Sequence, residues 1–505
     1  MVKRTASPVV PLTTWAPDLD PKTKGILIEC QDLIPTHRGF CGAPSQVAVV
    51  GLAAIPGGTT ANGAALVTKL DGSTRMLVGT STTLQEAAGS SWTDVSRVGA
   101  YTVSPDVRWK FAQFGNTTLA VNGADVIQAS SSGAFSDVTG SPKAAVLECA
   151  AGFVMVAATN EVTYGDSPDR WWCSGLFNHT QWTPSVATQC ATGRLVDTPG
   201  PIVALKKLGN DLVAYKETSM YLGRYVGAPE VWRWQLISDS VGALCQGAIV
   251  NVGPAHIFIG RDDIWYFDGT RPVSLNSPVR YWFFDSNNSR DDKRNRMMSY
   301  FDRFTDRVWF FFMIPGGSGN FNAMVYHVKR NAWGRVTNSL ENGGAVAAVL
   351  DYVTTATTFD DVGVSYSPSS TYNNFGNGIS YNSSTWFSNR QIPAVVQAGL
   401  LKTLTGPLSH PALAQVFEQG ADDRMFLGRR CRPNWIKAPT AVNVWVMYKM
   451  NDGDVFNQAP GAGTMVDGKL DFLVRARWLS PQIYVTAGDF ELAGIQLEMD
   501  PMGMR

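Results

Sequence analysis

The hydrophobic positions of this chain fall in short runs divided by turn residues. From Pro201 it reads PIVALKK, DLVAYKE, SMYLGRYV and VWRWQLIS, four β-rich runs split by Gly209-Asn210 and Gly227-Ala228-Pro229. GAIVNVG, AHIFIG, DIWYFDG and RPVSL repeat the arrangement, with Asp268-Gly269 as a hairpin signal. A third unit reads RMMSYFD, DRVWFFFMI, NAMVYHV and AWGRVT and closes near Trp333. Three similar units lie upstream. One starts at AVLECAAGFVMVAATNEVTYGD and ends at Gln181-Trp182. WKFAQFG, TTLAVNG and DVIQAS lead to Phe135-Ser136-Asp137-Val138, and AALVTKL, RMLVGT and TTLQEA lead to Trp92-Thr93-Asp94-Val95. The last two endings match in chemistry, and Trp182 and Trp234 continue the series.

A period of roughly 40–50 residues with four strands per unit is the pattern of a β-propeller blade, a small twisted sheet that buries its faces only against its neighbours. Six consecutive units fit, so the expectation is an all-β protein whose propeller, of six or seven four-stranded blades, spans residues 51–390. A seventh blade falls between Gly343 and Arg390, where the pattern is poorly marked. A large, irregular β-sandwich is the alternative. TYNNFGNGISYNSSTWFSN reads as a surface loop or hairpin insertion over about 367–390. From residue 391, runs such as VNVWVMYKM, LDFLVRARW and FELAGIQLEM alternate over longer spans, predicting a C-terminal β-sandwich-like domain over 391–505. Residues 1–50 carry scattered prolines and no period, and read as an extended N-terminal arm packed on something else.

Composition agrees with an all-β chain: 16 Trp and 48 Gly suit short strands and tight turns. Charged residues make up 17%, below the roughly 25% of ordinary domains, which points to a surface covered by partners. The balance of 42 basic and 42 acidic residues argues against a protein held to nucleic acid by a strongly basic face. Seven Cys with no CxxC spacing indicate reduced thiols and neither a zinc ribbon nor a disulfide framework. Met1 to Val10 lacks the apolar core of a signal peptide, and the longest apolar run, Val308 to Pro315, is far short of a membrane span. Assembly in a cytoplasm, with no membrane span, is the resulting expectation.

Enzyme signatures are mostly absent. His37, His179, His256, His327 and His410 show no metal-ligand spacing, and His256 and His327 fall inside predicted strands as hydrogen-bonded core or edge histidines. There is no phosphate-binding glycine loop and no nucleophile elbow. Glycoside hydrolysis needs two carboxyls about 5 Å or about 6.5–9.5 Å apart. Asp262-Asp263, Asp291-Asp292 and Asp360-Asp361 are adjacent pairs, but neighbours on a strand face opposite ways. Asp94 and Asp137 at the blade ends are expected to satisfy turn backbone groups. No catalytic, cofactor or metal residue is assigned. The densest charge cluster, Ser289 to Arg296, reads as a solvated loop; Arg290, Lys293, Arg294 and Arg296 are candidates for a channel lining, weakened by the interspersed Asp291 and Asp292. Arg424, Arg429, Arg430 and Arg432 read as a subunit interface.

The run from Pro199 to Val273, with its Val203-Ala204-Leu205-Lys206-Lys207-Leu208-Gly209-Asn210-Asp211-Leu212 hairpin, resembles the tail nozzle proteins of tailed, especially short-tailed, bacteriophages. Tyr221-Leu222-Gly223-Arg224-Tyr225, Ile257-Phe258-Ile259-Gly260 and Tyr266-Phe267-Asp268-Gly269-Thr270-Arg271-Pro272-Val273 continue the match, with Tyr164-Gly165-Asp166 and Gln181-Trp182 upstream. It covers about residues 145–340 and rests on turns and strand edges rather than on a catalytic signature. The resemblance implies a virion protein forming a homohexameric ring below the portal and its adaptor (head-completion) protein. Such a ring extends the DNA channel, retains and then releases the genome, and helps anchor tail fibres or spikes. It also implies transient passage of double-stranded DNA, no active-site residues, and gating by channel loops, for which 367–390 is one candidate. A receptor- or glycan-binding propeller is the alternative function, and a propeller glycosidase a further one.

Overall fold

The computed structural model describes residues 8–104, 107–289, 296–316, 321–337, 340, 345–353, 391–460 and 463–502. The insertion expected at 367–390 lies outside them. Each of the six repeat units folds as a four-stranded antiparallel meander, because its short alternating runs are joined by turns that need positive φ or side-chain support. Gly209 (φ 60°) turns Ile202–Leu208 into Asp211–Lys216. Asp268 shapes the next such turn by accepting hydrogen bonds from both the backbone N–H and the hydroxyl of Thr270.

The innermost strands of the first six blades are Ala64–Thr68, Lys110–Phe114, Lys143–Ala150, Ile202–Leu208, Ile249–Asn251 and Met298–Asp302. A seventh blade completes the ring. It is built from Val346–Val353, Gln391–Gln397 and Leu400–Gly406, and its outer strand, Ser45–Ala48, comes from the N-terminal segment. The inner strand of this blade packs beside that of blade 1, closing the circle. Seven apolar cores fill the seven inter-blade interfaces. The aromatics that end the repeats have a common task. Trp92, Phe135, Trp182 and Trp234 each pack into the interface between their own blade and the preceding one.

The division of the chain differs from the one expected at residue 391. Gln391–Gln397 and Leu400–Gly406 pair within the propeller, since the strand missing from the poorly marked seventh blade lies beyond the insertion. The N-terminal segment is not an arm lying on another molecule. Thr14–Trp15 and Ile26–Gln31 join Ala412–Val416, Trp478–Ala487 and Ala441–Lys449 in one sheet. Leu33–Pro35 and Phe40–Gly42 link the outer strand of blade 6, Ala332–Val336, to Glu491–Pro501, so a single ten-stranded sheet runs from the propeller into the second body. The two sheets of that body share their core with the interface between blades 5 and 6.

Phe40 is fully buried at this junction, and the chain is so close there that a Cβ on Gly39 would stand 2.1 Å from the Leu492 carbonyl oxygen. Because sheet and core are continuous, propeller and second body are expected to unfold together. Phe40→Ala should lower stability by about 3–5 kcal/mol in urea while leaving one transition by tryptophan fluorescence and circular dichroism. Two separated transitions in the wild-type protein would contradict this coupling.

Candidate functional site

His256 is a hydrogen-bonded core residue, as its strand position suggested. It is fully buried, with Nδ1 2.8 Å from the Tyr215 hydroxyl and Nε2 3.0 Å from the Lys207 carbonyl oxygen. The carbonyl can only accept, so Nε2 carries the proton and Nδ1 accepts from Tyr215. Burial holds its pKa down at about 4. His327 is buried against the ring of His37, 4.7 Å between centroids, and burial, reinforced by His37, also holds it near about 4. Among the described residues, no group of His, Cys, Asp and Glu is arranged to hold a metal ion.

The carboxylates are engaged. Asp263 accepts from the Ile264 N–H and the Ser274 hydroxyl, while Asp262 is exposed. The other two Asp pairs lie outside the described residues. Asp94 accepts the Ser96 N–H, the turn role expected of it. Asp137 differs: it accepts from the side chains of Arg97 and Gln128, because Arg97 reaches over from the preceding blade. In a cleft of about 340 Å³ between blades 6 and 7 and the second body, Asp302 caps its own turn through Phe304 and Thr305, and Asp489 pairs with Lys437.

Of the cluster ending at Arg296, only Ser289 and Arg296 are described. In the second basic cluster, Arg424 pairs with Asp423, Arg429 with Asp500, and Arg430 with Asp471 and Glu498, each within the chain. These pairings reduce the free positive charge that made this cluster a candidate interface. Arg432 is exposed.

Two features went unmarked in the sequence, apart from Arg296, which was a candidate channel lining. The first is a cleft of about 550 Å³ at one mouth of the propeller, where the first hairpins of blades 1, 2 and 3 meet the end of the blade 4 inner strand. Leu70 and Phe177 rim it, 81% and 79% exposed, with Phe114, His179 and Lys207. Phe177 adopts φ 53° and its N–H donates to the Gly152 carbonyl, which holds a large apolar ring outward on a strained backbone. A non-glycine residue at positive φ leaves no trace in a pattern of apolar positions.

The second is the propeller axis. Arg108, just before the blade 2 inner strand, donates to the carbonyls of Ala347 at 2.5 Å and Arg296 at 3.1 Å, at the starts of blades 7 and 6. Gln246, before blade 5, donates to Leu147 of blade 3 at 3.0 Å and to Leu205 of blade 4 at 3.5 Å. Arg108 therefore reaches across the ring from blade 2 to blade 6, while Gln246 ties blade 5 to blades 4 and 3. Burial, then the neighbouring Arg296, lowers the Arg108 pKa to about 10. Burial also takes Lys110 down to about 8; Arg108 and Lys206 act in the same direction and the Cys245 thiol opposes. Glu148 is raised by burial against the pull of Lys206.

No family model and no curated protein matches this chain. Solved structures do. YCF48 bound to D1 peptide covers 70% of this chain and 95% of its own, at 12% identity and a TM-score of 0.38. YCF48 from Cyanidioschyzon merolae covers 72% and 98%, at 10% identity and a TM-score of 0.36. The N-terminal domain of Nup159 covers 52% and 73%, at 10% identity and a TM-score of 0.26.

The depressed histidines set a pH dependence. Between pH 6.5 and about 4 the unfolded chain binds protons that native His256 and His327 refuse. Stability therefore falls as pH falls, by about 2 kcal/mol per histidine between pH 7 and 5. Urea unfolding of His256→Gln should show that loss reduced by one histidine's share; an unchanged loss would place the proton uptake elsewhere.

Proposed function

We propose that this chain is a non-enzymatic binding and assembly protein whose propeller presents its mouth to a protein partner. The observation that carries this reading is the apolar rim, with Phe177 held outward at positive φ above a cleft and Leu70 beside it. Exposed large apolar groups around a concavity are the ordinary mark of a contact surface. The carboxylates of the other cleft are already engaged by a turn and an ion pair, which favours binding over hydrolysis.

The setting we propose is the tail nozzle implied by the sequence resemblance: a virion ring, six copies in cyclic symmetry, joined to an adaptor and to fibres or spikes. Arg108 spans the axis of a single propeller, so a path for a DNA duplex would lie between copies, at the centre of a ring. The receptor- or glycan-binding reading draws on the same exposed aromatic ring, since Phe177 would equally suit a sugar face.

Quantitative mass spectrometry of purified particles from the native source, scaled to the major capsid protein, distinguishes them. The nozzle reading expects about six copies per particle. Absence from particles, together with glycan-array binding by the isolated chain, would replace it with the lectin reading. Phe177→Asp should abolish partner capture in particle assembly while leaving the unfolding free energy within about 0.5 kcal/mol of wild type.

A further inference from the structure

Four cations and one carboxylate gather around the propeller axis. Lys110 stands on the inner strand of blade 2, Lys206 on that of blade 4 and Glu148 on that of blade 3, while Arg108 and Arg296 open blades 2 and 6. Neither the Lys110 nor the Lys206 side chain makes a hydrogen bond or ion pair with a described residue. The Nε atoms of Arg108 and Arg296 are buried without a hydrogen-bond partner, and Arg108 as a whole is only 9% exposed. The Gln246 side-chain oxygen is likewise buried and unbonded.

Unpaired positive charge in a low-dielectric interior is costly, and several such charges facing one another add mutual repulsion. The arrangement is also over-determined. The guanidinium of Arg108 is clamped between the Ala347 and Arg296 carbonyls, which fixes where its remaining N–H points. Donors from three blades thus converge, as multivalent capture of a tetrahedral oxyanion requires.

We propose that the propeller axis is a binding site for one small oxyanion of the phosphate class, held by Lys110 and Lys206 together with the free Nε–H groups of Arg108 and Arg296. Its size is limited by Arg108, which reaches across from blade 2 to the starts of blades 6 and 7. Burial shifts the Glu148 carboxyl upward, which lessens its opposition to an anion, and its Oε1 already accepts from the Cys149 N–H. The bound anion ties blades 2, 4 and 6 together through the centre of the ring.

The test is isothermal titration calorimetry of the full chain with inorganic phosphate, and separately with sulfate, at constant ionic strength. Saturable binding with one site per chain is expected at pH 7. Lys110→Met and Lys206→Met should each weaken it about tenfold or more, and Arg424→Met, which removes an exposed pair with Asp423, should leave it unchanged. Sulfate keeps its charge near neutral pH, so its affinity should fall as pH rises past about 8 and Lys110 loses its proton beside Arg108, Lys206 and Cys245. Thermal unfolding without added anion controls for folding. Both Met variants should melt at or above the wild-type temperature, because each removes a repelled charge, and Lys110→Gln serves as a second folded variant. No saturable binding by the wild type, or wild-type affinity in the folded Lys110 and Lys206 variants, would overturn the proposal.

Discussion

The pairing of Ser45–Ala48 with Leu400–Gly406 is the contact on which the architecture depends. Seven sheets wound around an axis leave two open apolar faces and an unpaired edge unless the last blade is completed and set against the first. Here the completing strand comes from the other end of the chain. The closure is therefore a long-range contact that entropy opposes until the intervening blades have formed. The same N-terminal segment supplies Thr14–Trp15 and Ile26–Gln31 to one sheet of the second body and Leu33–Pro35 and Phe40–Gly42 to the other. One stretch of chain closes the ring and fastens the second body to it.

Closure also creates the two sites. Each inner strand turns side chains toward its neighbours along most of its length, where they join the inter-blade cores. Only residues at particular points of those strands, or just before them, reach the axis. There Arg108 bonds from blade 2 across to blade 6, and Gln246 from blade 5 to blades 4 and 3. Charges that would be solvated on an isolated blade are desolvated there, which is why Lys110 is pulled down and Glu148 is raised even against the pull of Lys206. The mouth is a different product of the same geometry. First hairpins of successive blades splay apart, and the turn of one blade faces that of the next, as in the hydrogen bond from the Leu70 N–H to Asn116.

A propeller is a scaffold whose function is set by what is placed on its rim and axis, so the fold itself decides little about activity. In this chain the rim is apolar and strained, the axis cationic, and the carboxylates noted in the clefts and turns serve turns and ion pairs. That distribution is what the proposed binding and assembly role would draw on. The continuous sheet and core linking ring and second body would transmit load between them without an intervening hinge.

The sequence by itself determined the all-β class, the four-strand repeat and the recurrence of Trp92, Phe135, Trp182 and Trp234 at the repeat ends, because these depend on alternation and turn chemistry within about 40–50 residues. That these rings fill the inter-blade interfaces only the tertiary structure decided. The sequence also placed His256 as a satisfied core residue, since a histidine inside an apolar strand must find partners. Tertiary structure alone decided the seventh blade, whose fourth strand no local pattern could locate, and the passage of Gln391–Gln397 and Leu400–Gly406 into the propeller. It alone made a site of Arg108, Lys110, Lys206 and Arg296. Arg108 and Lys110 open one repeat while Lys206 and Arg296 lie in two others, and only Arg296 stood out in its own stretch of chain, as a candidate channel lining. Only ring closure carries them to a common axis, where distance and desolvation, properties of the assembled blades and not of any segment, determine what they do.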